Sequence, residues 1–226
     1  MDGEPLGGNG GAWPLCRVAA KMTPAVATTT PKASHGPSAR VRAWVLGAAF
    51  APDGKHLLTC SRDKTAKVWD LEAKESVLTF PEHQNPVFGV AVKADSKAGF
   101  SVGTDKQLRM WNATGEGKQI KVLGAHADDI LKLVQHPKEP VMVTASADKT
   151  VKVWNPETGA NTKTLTGLTD HVFAAAISPD AKQVAAGGYD GEVRVWNVAD
   201  GAVAKAFNAS PGYVPATPPM PEPKKK

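Results

Sequence analysis

Apolar residues along this chain come in short bursts separated by turn residues, and the bursts recur in register. WVLGAAFAPDGKHLLTCS (44–61) aligns without gaps to PVFGVAVKADSKAGFSVG (86–103) and to DILKLVQHPKEPVMVTAS (129–146), with HVFAAAISPDAKQVAAGG (171–188) as a fourth copy. Each copy reads as an apolar stretch, a turn such as APDGK or SPDAK, and a second apolar stretch. An Asp-containing turn follows, and then an alternating phrase built around tryptophan: DKTAKVWD (63–70), DKQLRMWN (105–112), DKTVKVWN (148–155) and DGEVRVWN (190–197). A weaker alternating stretch closes each unit: SVLTF (76–80), KQIKVL (118–123), NTKTLT (161–166) and AVAKAF (202–207). Alternation with period two is the mark of a half-buried strand. Trp69, Trp111, Trp154 and Trp196 stand 42, 43 and 42 residues apart. Four short strands per unit of that length predict one propeller blade per unit.

Those phrases and their period resemble the WD-repeat β-propellers over residues 41–210. The similarity of the units to one another and turns such as SPDAK suggest a bacterial-type member. Only Trp69-Asp70 shows the literal Trp-Asp pair, and the other three units read Trp-Asn. The expected fold is all-β: four blades of four antiparallel strands, over about 41–80, 81–123, 124–166 and 167–207. Members of this family usually have about seven blades, so four imply an open or incomplete ring. Residues 1–40, rich in Ala, Gly, Pro, Ser and Thr, read as a disordered segment, and 211–226 as a Pro- and Lys-rich tail.

The resemblance implies a hydrogen-bonded set of His, Ser or Thr, Asp and Trp inside each blade. Polar groups that cannot reach water must satisfy one another, which is why such a set belongs in a packed sheet. The second unit carries all four as His83, Ser101, Asp105 and Trp111, and the third as His126, Thr144, Asp148 and Trp154. The first has Thr59, Asp63 and Trp69, with Val41 at the His place. The fourth has Asp190 and Trp196, with Leu168 at the His place and Ala186 at the hydroxyl place. His, Ser and Asp together suggest a hydrolase triad. Their recurrence from unit to unit, and the lack of a Gly-x-Ser-x-Gly elbow, favour a structural role.

Composition narrows the function further. The formal charge is +5, but residues 44–210 hold 19 basic and 19 acidic residues, so the excess lies in the tails. A neutral body argues against a nucleic-acid-binding domain. No apolar run approaches the roughly 18 residues that span a bilayer. The N-terminus lacks a basic stretch followed by an apolar one, and a cytoplasmic protein is expected. Cys16 and Cys60 form no recognisable framework, the six histidines lack metal-ligand spacing, and GGNGGA lacks a phosphate-loop ending. No metal, cofactor or catalytic residue is expected.

A protein-interaction scaffold is therefore the expected function, with other proteins as partners and self-association through the open flanks. The alternative is a fragment of a larger multidomain WD-repeat protein whose activity lies elsewhere. The resemblance implies that two kinds of position face the wider binding surface. One is the start of the innermost strand: Trp44, Pro86, Asp129 and His171. The other just precedes the turn aspartate: Arg62, Thr104, Ala147 and Tyr189. Residue types enriched in binding hot spots single out Trp44, Arg62, His171 and Tyr189, with Asp129 and Thr104 beside them. Packing is the competing role: Trp44 against a neighbour, Tyr189 over a blade end.

Complete tetrads in the two central units predict slower amide exchange there than in the outer two. Hydrogen–deuterium exchange followed by mass spectrometry tests this, and uniform protection across the four units would refute it.

Overall fold

The tryptophan phrases lie on strands, flanked on both sides by strands of the same sheet. A computed structural model describes residues 44–209, all within one contact unit. The expected segments 1–40 and 211–226, and Val41, lie outside the described residues. Blade 1 comprises β1 (Val45–Phe50), β2 (His56–Ser61), β3 (Ala66–Asp70) and β4 (Glu75–Phe80). Blade 2 comprises β5 (Val87–Val92), β6 (Ala98–Gly103), β7 (Gln107–Asn112) and β8 (Gln119–Gly124). Blade 3 comprises β9 (Ile130–Gln135), β10 (Met142–Ser146), β11 (Val151–Asn155) and β12 (Ala160–Leu165). Blade 4 comprises β13 (Val172–Ile177), β14 (Gln183–Gly188), β15 (Glu192–Asn197) and β16 (Val203–Asn208). Each blade is a four-stranded antiparallel meander in sequence order. The described residues contain no helix, and none that could cross a membrane.

Local chemistry explains the meander. The second hairpin of each blade closes through a type I turn followed by one left-handed residue, a three-residue loop suited to twisted strands. Lys64, Lys106, Lys149 and Gly191 occupy that left-handed place, with φ of 72°, 64°, 68° and 79°. The preceding aspartate caps the turn: Asp63, Asp105, Asp148 and Asp190 each accept a hydrogen bond from the backbone N–H two residues on, at 3.0–3.4 Å. In every blade the register also shifts at the tryptophan, as between Met110 and Trp111. Such a bulge strengthens the local twist.

The apolar core lies between blades. Three buried clusters each join one face of a blade to the opposite face of the next. In the first, Leu58, Cys60, Ala66, Val68 and Phe80 of blade 1 meet Val87, Val90, Val92 and Trp111 of blade 2. In the second, Phe100, Val102, Leu108 and Leu123 meet Ile130, Leu133, Met142 and Trp154. In the third, Val143, Ala145, Val151, Val153 and Leu165 meet Val172, Val184, Ala186 and Trp196. The tryptophan face of each blade thus seats on the one before it. A buried indole removes on the order of 200 Å² from water, an upper estimate of about 5 kcal/mol.

The innermost strands stand side by side in the order β1, β5, β9 and β13. Among the described residues no junction of comparable extent returns from β13 to β1, so the propeller is open. Its ends show the consequence. Trp69, on the flank of blade 1 that no other described sheet covers, is only half-buried, while Trp111, Trp154 and Trp196 are buried.

Close approach of β5 to β9 depends on a glycine. A Cβ on Gly89 of β5 would lie 2.8 Å from Leu133 Cβ and 3.0 Å from Leu133 N in the next blade. Gly89→Ala therefore forces blades 2 and 3 apart, and overpacking of this kind costs roughly 1–3 kcal/mol. Urea unfolding is expected to show a lower midpoint by that amount, and an unchanged midpoint would refute the contact.

Candidate protein-interaction surface

Two sets of repeated residues compete for the functional role, one buried and one on the rim. In blade 2, Trp111 Nε1 donates to Ser101 Oγ (3.1 Å), Ser101 Oγ lies 2.6 Å from His83 Nε2, and His83 Nδ1 lies 3.1 Å from Asp105 Oδ2. Blade 3 repeats the chain: Trp154 to Thr144 at 2.8 Å, Thr144 to His126 at 2.7 Å, and His126 to Asp148 at 2.9 Å. One proton arrangement satisfies every partner. The indole and hydroxyl each donate one step along, the neutral imidazole accepts at Nε2, and its Nδ1–H donates to the carboxylate.

The electrostatics agree with that arrangement. Burial holds the His126 pKa below its ordinary value, which keeps the ring neutral. Burial also opposes charge on Asp105, but hydrogen bonds from His83 and Arg109 hold its carboxyl below the usual range. For Asp148 burial is outweighed by hydrogen bonds from Thr150, the Ala127 amide and His126.

The outer blades hold partial versions. In blade 1 Trp69 Nε1 donates to Thr59 Oγ1 at 2.8 Å, and Thr65 Oγ1 donates to Asp63 at 2.7 Å. In blade 4 Ala186 removes the hydroxyl link and Leu168 is buried in the apolar cluster. The hydroxyl of Thr169 donates to Asp190 instead. That substitute went unnoticed in the sequence, where its only signal is a hydroxyl residue one place after Leu168.

The geometry of His83, Ser101 and Asp105 matches that of a nucleophile, base and orienting acid, but Ser101 and Thr144 are 0% exposed. An attacking oxygen must reach a substrate, and each of these oxygens is enclosed and already accepts from an indole. Cys60 is likewise enclosed, and burial pushes its thiol pKa up to about 12. Among the described residues no group of three or more His, Cys, Asp or Glu side chains converges to hold a metal.

The rim is built by the hairpin turns. Arg62, Thr104, Ala147 and Tyr189 each occupy the first corner of the type I turn that precedes the left-handed residue. Their backbone N–H groups donate to the carbonyls of Trp44, Pro86, Asp129 and His171 at 3.0, 3.2, 2.9 and 2.9 Å. The two families of position are therefore locked side by side in every blade, at the same end of the sheets.

Side chains on this rim differ along the arc. On blade 1 the Arg62 guanidinium lies 5.2 Å from the Trp44 ring centroid, a cation–π contact, and Trp44 is 59% exposed. On blade 4 the Phe173 ring lies 6.4 Å from His171 and 5.9 Å from Tyr189, which is 75% exposed. Phe173 is a rim residue that sequence reasoning missed; an aromatic two places after His171 was its only trace. In the centre, Thr104 and Asp129 are partly buried. Burial and the neighbouring Asp128 charge raise the Asp129 carboxyl above its ordinary value. Lys106 reaches across the junction to Asp128 at 3.3 Å. The fold thus brings Trp44 to Arg62 and His171 to Tyr189, but keeps the two groups on opposite ends of the arc.

Radial four-stranded sheets with a repeated buried tetrad and a repeated turn rim define an open β-propeller. The family model for "WD domain, G-beta repeat" matches residues 34–70, 74–112, 117–155 and 159–197. The chain belongs to the WD-repeat family. The matched units run out of step with the blades: the second spans β4 to β7, the third β8 to β11 and the fourth β12 to β15, so each of these three links two neighbouring sheets.

Curated relatives include Striatin-3 from Bos taurus, 32% identical over 130 residues (48% of this chain, 16% of that protein). Lissencephaly-1 homolog 1 from Paramecium tetraurelia is 34% identical over 98 residues (43% of this chain, 24% of that protein). Striatin-3 from Mus musculus is 31% identical over 130 residues. This chain therefore spans under a quarter of the length of these relatives. All three come from eukaryotes, so the bacterial character expected from the similarity of the units and their SPDAK-type turns is not supported. Such resemblance between units reflects a shared packing demand and carries no lineage.

Thr144→Val tests the buried chain. It leaves the Trp154 N–H and His126 Nε2 without partners, at roughly 1–3 kcal/mol for such an unsatisfied group. Urea denaturation should show this loss, and a stability within error of the parent would refute the chain.

Proposed function

We propose that this chain is a non-catalytic scaffold that captures another protein on its turn rim. One observation carries this reading: every blade presents its inner-strand start and its hairpin corner as a backbone-locked pair, with an exposed Trp44–Arg62 contact at one end and the His171–Phe173–Tyr189 cluster at the other. Rigid presentation lowers the entropy lost on binding. Exposed aromatic and arginine side chains are the residues that carry interface energy. The tetrad side chains that resemble catalytic groups are spent inside the blades: Thr59, Ser101 and Thr144 on the indoles, His83 and His126 on the aspartates. The neutral charge of 44–210 also supports a protein partner over nucleic acid.

A second reading treats the four blades as one part of a longer protein whose remaining activity lies elsewhere. It is supported by relatives that are several times longer than their matched segments. In both readings the rim is the contact surface.

The test is affinity capture from a native lysate with tagged parent chain and with the variant carrying Trp44→Ala, Arg62→Ala, His171→Ala and Tyr189→Ala. Partner recovery is expected to fall on the order of tenfold or more, since hot-spot truncations cost about 2 kcal/mol or more each. The melting temperature should hold. A collapse in melting temperature would assign these residues to packing, and undiminished capture would move the surface elsewhere.

A further inference from the structure

The two end flanks of the arc are the two halves of a contact that the molecule makes three times internally. At each internal junction the tryptophan face of one blade seats on the far face of the blade before it. Among the described residues no sheet precedes blade 1, and its tryptophan face is open there: Val45, Phe50 and Leu71 are exposed, and Trp69 is half-buried. Their counterparts in blade 2, Val87, Val92, Ala113 and Trp111, are all buried in the first junction. Among the described residues no sheet follows blade 4, and its far face is open as well.

That far face is shaped for an indole. At the first junction Phe80 of β4 stacks on Trp111, with ring centroids 5.3 Å apart and planes 9° from parallel. Phe80 pairs across its sheet with Ala66, as Leu123 pairs with Leu108, Leu165 with Val151, and Phe207 with Val193. Phe207 is thus the counterpart of Phe80, and it is 53% exposed. Beside it Ala174, Ala176, Ala185, Gly187 and Val193 form a shallow apolar surface. Lys67 on the blade 1 flank is no obstacle, because its counterparts Arg109, Lys152 and Arg194 are accommodated as partly buried side chains.

We propose that a second copy of this chain covers these flanks: blade 4 of one copy receives blade 1 of the other, with Phe207 stacked on the partner copy's tryptophan as Phe80 stacks on Trp111. The same contact made reciprocally closes a two-fold pair of eight blades, within the size range of propellers, and leaves neither bare flank in water. An apolar sheet face left uncovered would be an aggregation liability. This pairing depends on the flanks and not on the rim, so loss of partner capture and loss of self-association are separate results.

Light scattering coupled to size exclusion should give the parent chain a mass twice its 23.7 kDa. Phe207→Glu blocks every blade 4 flank, and Phe50→Glu (72% exposed in the free flank) blocks every blade 1 flank. Each variant alone should run as a monomer with the circular dichroism of the parent. Mixed together, they retain one matching pair of flanks, and native mass spectrometry should show the mixed dimer. A parent that stays monomeric at its highest soluble concentration overturns the proposal, as would a chain whose flanks are covered by its own other segments or by a different protein. Pairing by either variant alone, absence of the mixed dimer, or open-ended polymers would overturn it equally.

Discussion

Everything in this molecule depends on the seating of one blade's tryptophan face on the sheet before it. A four-stranded meander of this size has two faces and almost no interior of its own. The apolar side chains of β2 and β3 become buried only when Trp111, Val87 and Val92 arrive from the next blade. Stability therefore accumulates junction by junction, as in other repeat proteins. Trp69, only half-buried, marks what the same residue looks like where no other described sheet seats against it.

The indole that provides this contact also carries an N–H that needs a partner. Thr59, Ser101 and Thr144 supply it from the neighbouring strand, and in blades 2 and 3 the imidazole and carboxylate continue the chain to the turn. The tetrad thus couples two demands, packing the face and holding the hairpin corner. With the corner fixed, Arg62, Thr104, Ala147 and Tyr189 point from a rigid rim. Blade 4 shows that the coupling tolerates loss: Ala186 drops the hydroxyl, and Thr169 takes over at the aspartate.

Resemblance to a catalytic triad illustrates why geometry alone does not define a site. The His83–Ser101–Asp105 distances suit proton transfer, yet no substrate can approach a hydroxyl enclosed between two sheets. Repetition in the sequence pointed the same way, because a packing device is needed in every blade and an active site is not.

The strand order, the turn corners and the tetrad members of blades 2 and 3 were legible in the sequence, because local alternation, turn chemistry and a fixed period express themselves within about forty residues. The stack of Phe80 on Trp111, the substitute role of Thr169 and the cluster around Phe173 were not, since each depends on which side chains two separate segments bring together. By itself the sequence determined what one blade is. Only the tertiary structure decided which faces are covered and which are left bare, because burial at a junction is a property of two neighbours and is written in neither of them alone.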